Sequence, residues 1–322
     1  MKMNPKQFLD PPAEYSDFKN AAAVILPVPY EGGVSYGTGT AGGPDAVIDA
    51  SKHLELYDEI LEAEPYRMGI STVMPPEISV EAERMHAAVF ETTKSLIAQK
   101  KFTVMLGGDH SLSLGYFKAL NAGTHPLSVI QLDAHSDLRD HYEGSPFSHA
   151  CIMSRIREFT GDTLQIGIRS MSLEESRRVE SENLALCTMH AYRSGKFNMQ
   201  AALDAITESV YLTVDVDVFD WSVIRSTGTP EPGGFLWDEG LALLQQIFDQ
   251  KEVIGIDVVE LSDDPSDHNS AFAVAKLIYK MLGFKLAAEV SRGKLGWPKR
   301  PSGNLFQHFL EKNTQRGQRP PA

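Results

Sequence analysis

Three short bursts of polar residues carry the side chains best suited to chemistry: His110 in GGDHS (107–111), Asp133, His135 and Asp137 in DAHSD (133–137), and Asp215 and Asp217 in DVD (215–217). Each burst follows an apolar run, so the six side chains fall where buried strands end and can converge on one point. Four carboxylates brought that close repel one another unless cations neutralise them. Two divalent ions shared between Asp133 and Asp215 would do so. Hard carboxylate oxygens with two imidazoles describe an Mn2+-like site better than a thiolate zinc site, and Ni2+, Co2+, Zn2+ and Fe2+ accept the same ligands. A single DxD or DxHxD serves as a strand-end turn as readily as a ligand set, but the three bursts together indicate a two-metal hydrolase.

The elements that must position these groups show as continuous apolar runs, the pattern of strands buried on both faces. They lie at 21–26, 102–106, 127–132, 164–168, 210–214 and 253–256, with weaker candidates at 68–73 and 184–188. Helical periodicity fills 79–99, 112–121, 197–209, 237–249 and 270–282. Strands alternating with helices predict an α/β fold: one three-layer α/β/α domain with a mostly parallel, doubly wound sheet, whose ligand site lies beyond the carboxyl ends of its strands. No repeat or linker divides the chain, so the expected boundaries are an N-terminal extension at 1–20, a catalytic domain at 21–290 and a basic, proline-containing tail at 291–322 with a short helix over 303–312.

With 322 residues, 42% of them hydrophobic, the chain can build a sizeable core, and a net charge of −13 argues against nucleic acid and suits a cationic small substrate. The first residues lack the apolar stretch of a signal peptide and no run reaches membrane-spanning length, which predicts a cytoplasmic protein with no membrane partner. Cys151 and Cys187 are too few for a disulfide framework and are expected to be packed free thiols. The glycines between Gly32 and Gly43 are not set in the strand-to-helix context of a dinucleotide fold, so they predict no phosphate site. Tyr36 is a candidate for the pocket mouth or for a packed aromatic.

GGDHSLSLG (107–115), QLDAHSDLRD (131–140), TVDVDVFD (213–220), TGTPEPGG (227–234) and IDVVELS (256–262) resemble the ureohydrolases, the arginase and agmatinase family, in order and in spacing. The closest likeness is to agmatinases, through VPYEGGVSYGTGTAGGPDAVIDAS (28–51), SHACIMSRI (148–156) and QIGIRS (165–170). Ser226 before TGTPEPGG and Asp263 after VVELS depart from the family pattern. These departures bear on the substrate more than on the chemistry.

The resemblance implies an arginase-like fold, two Mn2+ per chain and a homotrimer or homohexamer. It implies that His110, Asp133, Asp137 and Asp215 hold one ion and that Asp133, His135, Asp215 and Asp217 hold the other. Metal binding lowers the pKa of water by several units, which permits attack on a guanidinium carbon. Asp137 then takes the water's proton, His149 in SPFSHAC delivers one to the leaving amine with His141 as its competitor, and Glu260 grips the guanidinium. Asp109 and Asp257 are expected to orient His110 or the backbone of the site.

The activity implied is hydrolysis of a cationic guanidino compound to urea and an amine, with agmatine, giving putrescine, favoured over guanidinobutyrate, guanidine, arginine and formiminoglutamate. Arginases carry an acid-rich segment directly after the IGIR-type strand that reads the α-amino group, whereas here Ser170, Met171 and Ser172 follow and no acid appears until Glu174. A catalytically silent metal-binding scaffold is the reading from another class. Intact ligands together with His149 and Glu260 oppose it.

Overall fold

The computed structural model describes residues 1–124 and 126–296. Eight strands form one sheet: β1 (Ala23–Val28), β2 (Ile70–Thr72), β3 (Phe102–Gly107), β4 (Ser128–Leu132), β5 (Thr163–Ile168), β6 (Ala185–Thr188), β7 (Ser209–Asp215) and β8 (Glu252–Val259). Their order is β2-β1-β3-β8-β7-β4-β5-β6, and every pairing is parallel. The expected α/β doubly wound sheet is therefore the fold observed, and all eight predicted strands are present.

Side-chain alternation divides the core in two. Ala23, Ile25, Ile130 and Leu132 face one layer, with Ile48, Leu244, Phe248 and Ile278. Val24, Leu26 and Val129 face the other, with Val89, Phe117 and Ile152. Runs with no polar alternation form strands covered on both sides because each face has a helical layer to bury against. The helices Gly43–Ser51, Trp237–Gln250 and His268–Ser291 cover the first face, and Ala82–Ala98 and Ser113–Gly123 cover the second.

Residues 1–20 lie along the sheet. Phe8 and Leu9 are buried in the first core layer, and their N–H groups donate to Thr72 Oγ1 (2.8 Å) and Ser51 Oγ (2.8 Å). Cys151 and Cys187 are buried free thiols, as expected. Among the described residues no helix is long and apolar enough to cross a membrane. The tail helix predicted over 303–312 falls outside the described residues.

Candidate metal centre

Four adjacent central strands, β3, β8, β7 and β4, deliver the site. Leu106, Val258, Val214 and Leu132 stand side by side in register across them. One residue further on, Asp133 and Asp215 leave β4 and β7 as neighbours. His110 follows β3 by three residues, and Glu260 is the residue after β8. Asp137 and Glu260 both adopt left-handed backbone, at φ 53° and 67°. That conformation costs a non-glycine residue on the order of 1 kcal/mol and is typical of functional positions.

Two residues back along the strands, on the same face as Asp133 and Asp215, Gln165, Gln131, Thr213 and Asp257 form a buried polar row in register. Gln165 Nε2 donates to Gln131 Oε1 (2.5 Å), and Gln131 Nε2 donates to Asp133 Oδ2 (2.6 Å). Asp257 accepts from Ser113 Oγ (2.7 Å), Thr213 Oγ1 (2.6 Å) and the Tyr211 hydroxyl. Thr213 gives its only proton to Asp257, so at its 2.8 Å contact with His110 Nε2 the imidazole is the donor. This makes Nε2 a donor and turns Nδ1 toward the cluster.

His110 Nδ1 is buried without a hydrogen-bond partner and lies 3.2 Å from Asp133 Oδ2, 3.3 Å from Asp137 Oδ2 and 3.4 Å from Asp215 Oδ2. His135 Nδ1 lies 2.9 Å from Asp217 Oδ2 and 3.7 Å from Asp133 Oδ1. Two metal-sized groups result, His110 with Asp133 and Asp137, and Asp133 with His135 and Asp217, sharing Asp133. Among these carboxylates the His110 imidazole is driven well above its ordinary pKa, and a metal cation in place of the Nδ1 proton would meet the same charge, so the donor set fits a metal site.

The electrostatics agree. Burial, then the Asp133 charge, push Asp137 up to about 7, and burial with Asp217 and Asp133 holds Asp215 well above the carboxylate range. Burial opposes charge on His135, yet Asp217 and Asp133 outweigh it and lift the imidazole to about 12.

Glu260 is fully buried. Its Oε1 accepts from the His110 N–H (2.7 Å) and lies 3.3 Å from His149 Nδ1, while its Oε2 is buried with no partner among the described residues. His149 is buried, with its Nε2 2.9 Å from Ser35 Oγ and its N–H on Gly33 O (3.1 Å). Burial works against charge on His149, but the Glu260 contact prevails and raises it to about 9.

The glycine stretch is the roof of this corner. Asp109 Oδ2 accepts from the N–H groups of Gly32 and Gly33 at 2.7 Å each, and Glu31 Oε2 accepts from Gly39 (2.7 Å) and Ala41 (3.1 Å). Gly37 donates to Gly228 O (3.1 Å), and a Cβ on Gly37 would meet the Gly228 backbone at 2.6 Å. Glycine is required there by close approach.

A cavity of about 210 Å³ opens over the cluster, lined by Ser35, His135, Asp137, Arg139, His149 and Thr229 among others. Thus His110, Asp133, His135, Asp137, Asp215, Asp217, His149 and Glu260 all come together. His141 does not: it is exposed and lines the neighbouring cleft with Arg139 and Glu174. Asp257 reaches His110 through Thr213, and Asp109 accepts from the Ser111 N–H and the glycine-loop N–H groups, so the first orients the His110 ring and the second the backbone of the site. Tyr36 is 83% exposed and is not a packed aromatic. Sequence reasoning missed Ser35, Gln131, Gln165, Thr213 and Thr229. The signal for three of them was a polar residue inside an otherwise apolar strand.

A parallel α/β sheet carrying a buried His/Asp cluster beyond the carboxyl ends of its central strands defines the class: an α/β protein with a site fit for metal. Residues 21–283 match the arginase family. The chain is 38% identical over 288 residues to an N(1)-aminopropylagmatine ureohydrolase of Synechocystis, covering 87% of this chain and 94% of that protein. It is 33% identical to an agmatinase of Pyrococcus horikoshii, over 83% of this chain and 93% of that protein. The crystal structure of agmatine ureohydrolase of Thermoplasma volcanium superposes with a TM-score of 0.79 at 25% identity, covering 90% of this chain and 97% of that one. The chain belongs to the arginase family.

Proposed function

We propose that this protein hydrolyses a cationic alkylguanidine to urea and an amine, with His110, Asp133, His135, Asp137, Asp215 and Asp217 holding two divalent ions, Mn2+ foremost. The observation that carries the reading is a pair of unsatisfied buried atoms in one site: His110 Nδ1, which lacks a cation among the carboxylates, and Glu260 Oε2, which lacks a donor. A metal answers the first and a guanidinium the second. Family membership over residues 21–283 supports it, and supports taking 21–290 as the catalytic unit.

When bound, the ions supply Lewis-acid charge and lower the pKa of water. The chain's own residues supply the rest. Glu260 Oε2 pairs with the guanidinium and fixes its plane. Asp137 accepts the proton of the attacking water, and the C–N bond to the alkyl arm breaks. His149, held at its two ring nitrogens by Glu260 and Ser35, delivers a proton to the departing nitrogen.

Of the guanidiniums that could bind a substrate carboxylate, Arg169 directs its donors to backbone carbonyls of Gly167, Asp217, Val218, Glu231 and Pro232, and Arg155 pairs with Asp140 and Glu158. Arg139 lines the cavity but stacks on Tyr142 (4.9 Å) and lies 3.8 Å from Glu175. This favours amine-terminated substrates over guanidinobutyrate, arginine and formiminoglutamate. Agmatine is the preferred choice, and its N1-aminopropyl derivative is a second, favoured by relatives of that name at 34–38% identity.

On one metal-loaded preparation, kcat/KM for agmatine should exceed that for arginine about a hundredfold or more. Arginine outperforming agmatine overturns the substrate choice, and metal binding with no urea from any guanidino compound restores the silent scaffold.

Metal loading should depend on pH. Asp137, at about 7 with protein groups alone, must lose its proton to coordinate. Affinity therefore falls as pH drops through that value, by about tenfold per unit for each proton released. Calorimetric Mn2+ titration of chelator-stripped protein at pH 6 and pH 8 should show the tighter binding at pH 8; equal affinities would refute it.

A further inference from the structure

We infer that Glu231 is the rim carboxylate that binds the substrate's distal ammonium, and so sets specificity for amine-terminated guanidines; the inference rests on the hydrolase reading above. The TGTPEPGG segment (227–234) passes the site, with Thr229 in the cavity wall and Glu231 beside His135. At its inner end, a Cβ on Gly228 would lie 3.6 Å from Glu260 Oε2. Next, Thr229 lines the cavity with its Oγ1 3.4 Å from Asp217 Oδ2. Two residues on, Glu231 Oε1 stands 3.9 Å from the outer nitrogen of His135, Nε2. That separation is too long for a hydrogen bond, so the carboxylate is not tied to His135.

Exposure rises outward from Glu260. Glu260 is fully buried, the His135 side chain is 25% exposed and the Glu231 side chain 34%. Among the described residues Glu231 has no lysine or arginine within ion-pair distance, although its segment is rigidly held. Arg169 Nη2 binds Glu231 O (2.8 Å) and Asp217 O (2.6 Å), and Arg169 Nε binds Pro232 O (3.0 Å). Pro230 and Pro232 flank the acid. A partly exposed carboxylate with no hydrogen-bonded cation, beside the outer nitrogen of His135 and beyond a site whose dry end is another carboxylate, matches a ligand with positive charge at both ends.

The reach agrees. Three residues from Gly228 to Glu231 span at most about 11 Å, and the bonds from guanidinium carbon to ammonium in a four-methylene stem span roughly 7 Å at the same extension per bond. An N1-aminopropyl arm would continue from that ammonium into solvent, so both favoured substrates present a cation at Glu231.

The test compares agmatine with butylguanidine, which keeps the guanidinium and loses the ammonium, in wild type, Glu231→Gln and Glu231→Lys, with metal content measured in each. The agmatine-to-butylguanidine ratio of kcat/KM should fall about tenfold in Glu231→Gln, chiefly through KM for agmatine and with metal content unchanged. Glu231→Lys should move preference toward 4-guanidinobutyrate. Equal losses on both substrates, or a loss of metal, would make Glu231 a positioning residue for His135 and overturn the assignment. No urea from any alkylguanidine with wild type would instead remove the hydrolase reading, and the assignment with it.

Discussion

Alanine in place of Asp133 or Asp215 is expected to cut urea release by at least about a thousandfold while leaving a folded chain. Asp133 belongs to both metal-sized groups, and Asp215 Oδ2 lies 3.4 Å from His110 Nδ1 at the end of the strand next to that of Asp133. Loss of either would remove a carboxylate from the cluster proposed to hold the two ions. Metal-derived charge stabilisation is worth several kcal/mol, and about 4 kcal/mol corresponds to roughly a thousandfold in rate. His135→Ala should cost less, since its imidazole serves a single group. Metal analysis beside circular dichroism decides the matter: wild type should carry two ions per chain and the variants fewer, with folding retained. Full activity in Asp215→Ala, or one ion per active wild-type chain, would sink the two-metal centre.

The strands were legible because a parallel sheet covered on both faces leaves no polar alternation to disguise them, while the short edge strands Ile70–Thr72 and Ala185–Thr188 showed only as weaker candidates. The eight proposed site residues were legible because each lies within five residues of a strand end or, for His149, in a segment carrying family resemblance. What the sequence concealed falls into three kinds. Gln131, Gln165 and Thr213 were absorbed into apolar runs, although a polar residue in a doubly buried strand must find a partner, and these find Asp133, each other and His110.

The second kind was capping. Ser172 and Glu175 form a capping box for the helix Leu173–Ser181, a serine followed three residues later by glutamate. In the sequence Glu174 is notable only as the first acid after the IGIR strand, and it is exposed, whereas the neighbouring Glu175 is turned inward. It accepts from Ser136 Oγ (2.8 Å) and the Leu138 N–H (3.0 Å), bracketing Asp137 from both sides. The left-handed backbone of Asp137 is thus held by an acid whose role only tertiary structure discloses. Ser35 and Glu231 were hidden by distance along the chain, because the histidines they stand beside, His149 and His135, lie more than ninety positions away in sequence.

Glu260→Gln and His149→Ala should separate binding from proton transfer. Glutamine keeps an oxygen for the His110 N–H (2.7 Å), so the backbone of the site and its metals should survive. It removes the negative charge that faces the guanidinium through the otherwise unpartnered Oε2. A hydrogen bond to a charged group contributes about 2 to 3 kcal/mol, so kcat/KM should drop roughly thirtyfold to a hundredfold with metal content intact. His149→Ala instead leaves Glu260 in place and removes the group held between Glu260 and Ser35. Its cost should fall on kcat, by about a hundredfold or more, as for loss of a general acid. His141→Ala is the control, because His141 is exposed and faces the adjoining cleft rather than the metal cluster. Steady-state kinetics with parallel metal analysis distinguishes these patterns. Wild-type turnover by His149→Ala alongside failure of His141→Ala would move the proton-delivering group out of the buried site, and would require the cleft lined by Arg139 and Glu174 to close over the substrate during the reaction.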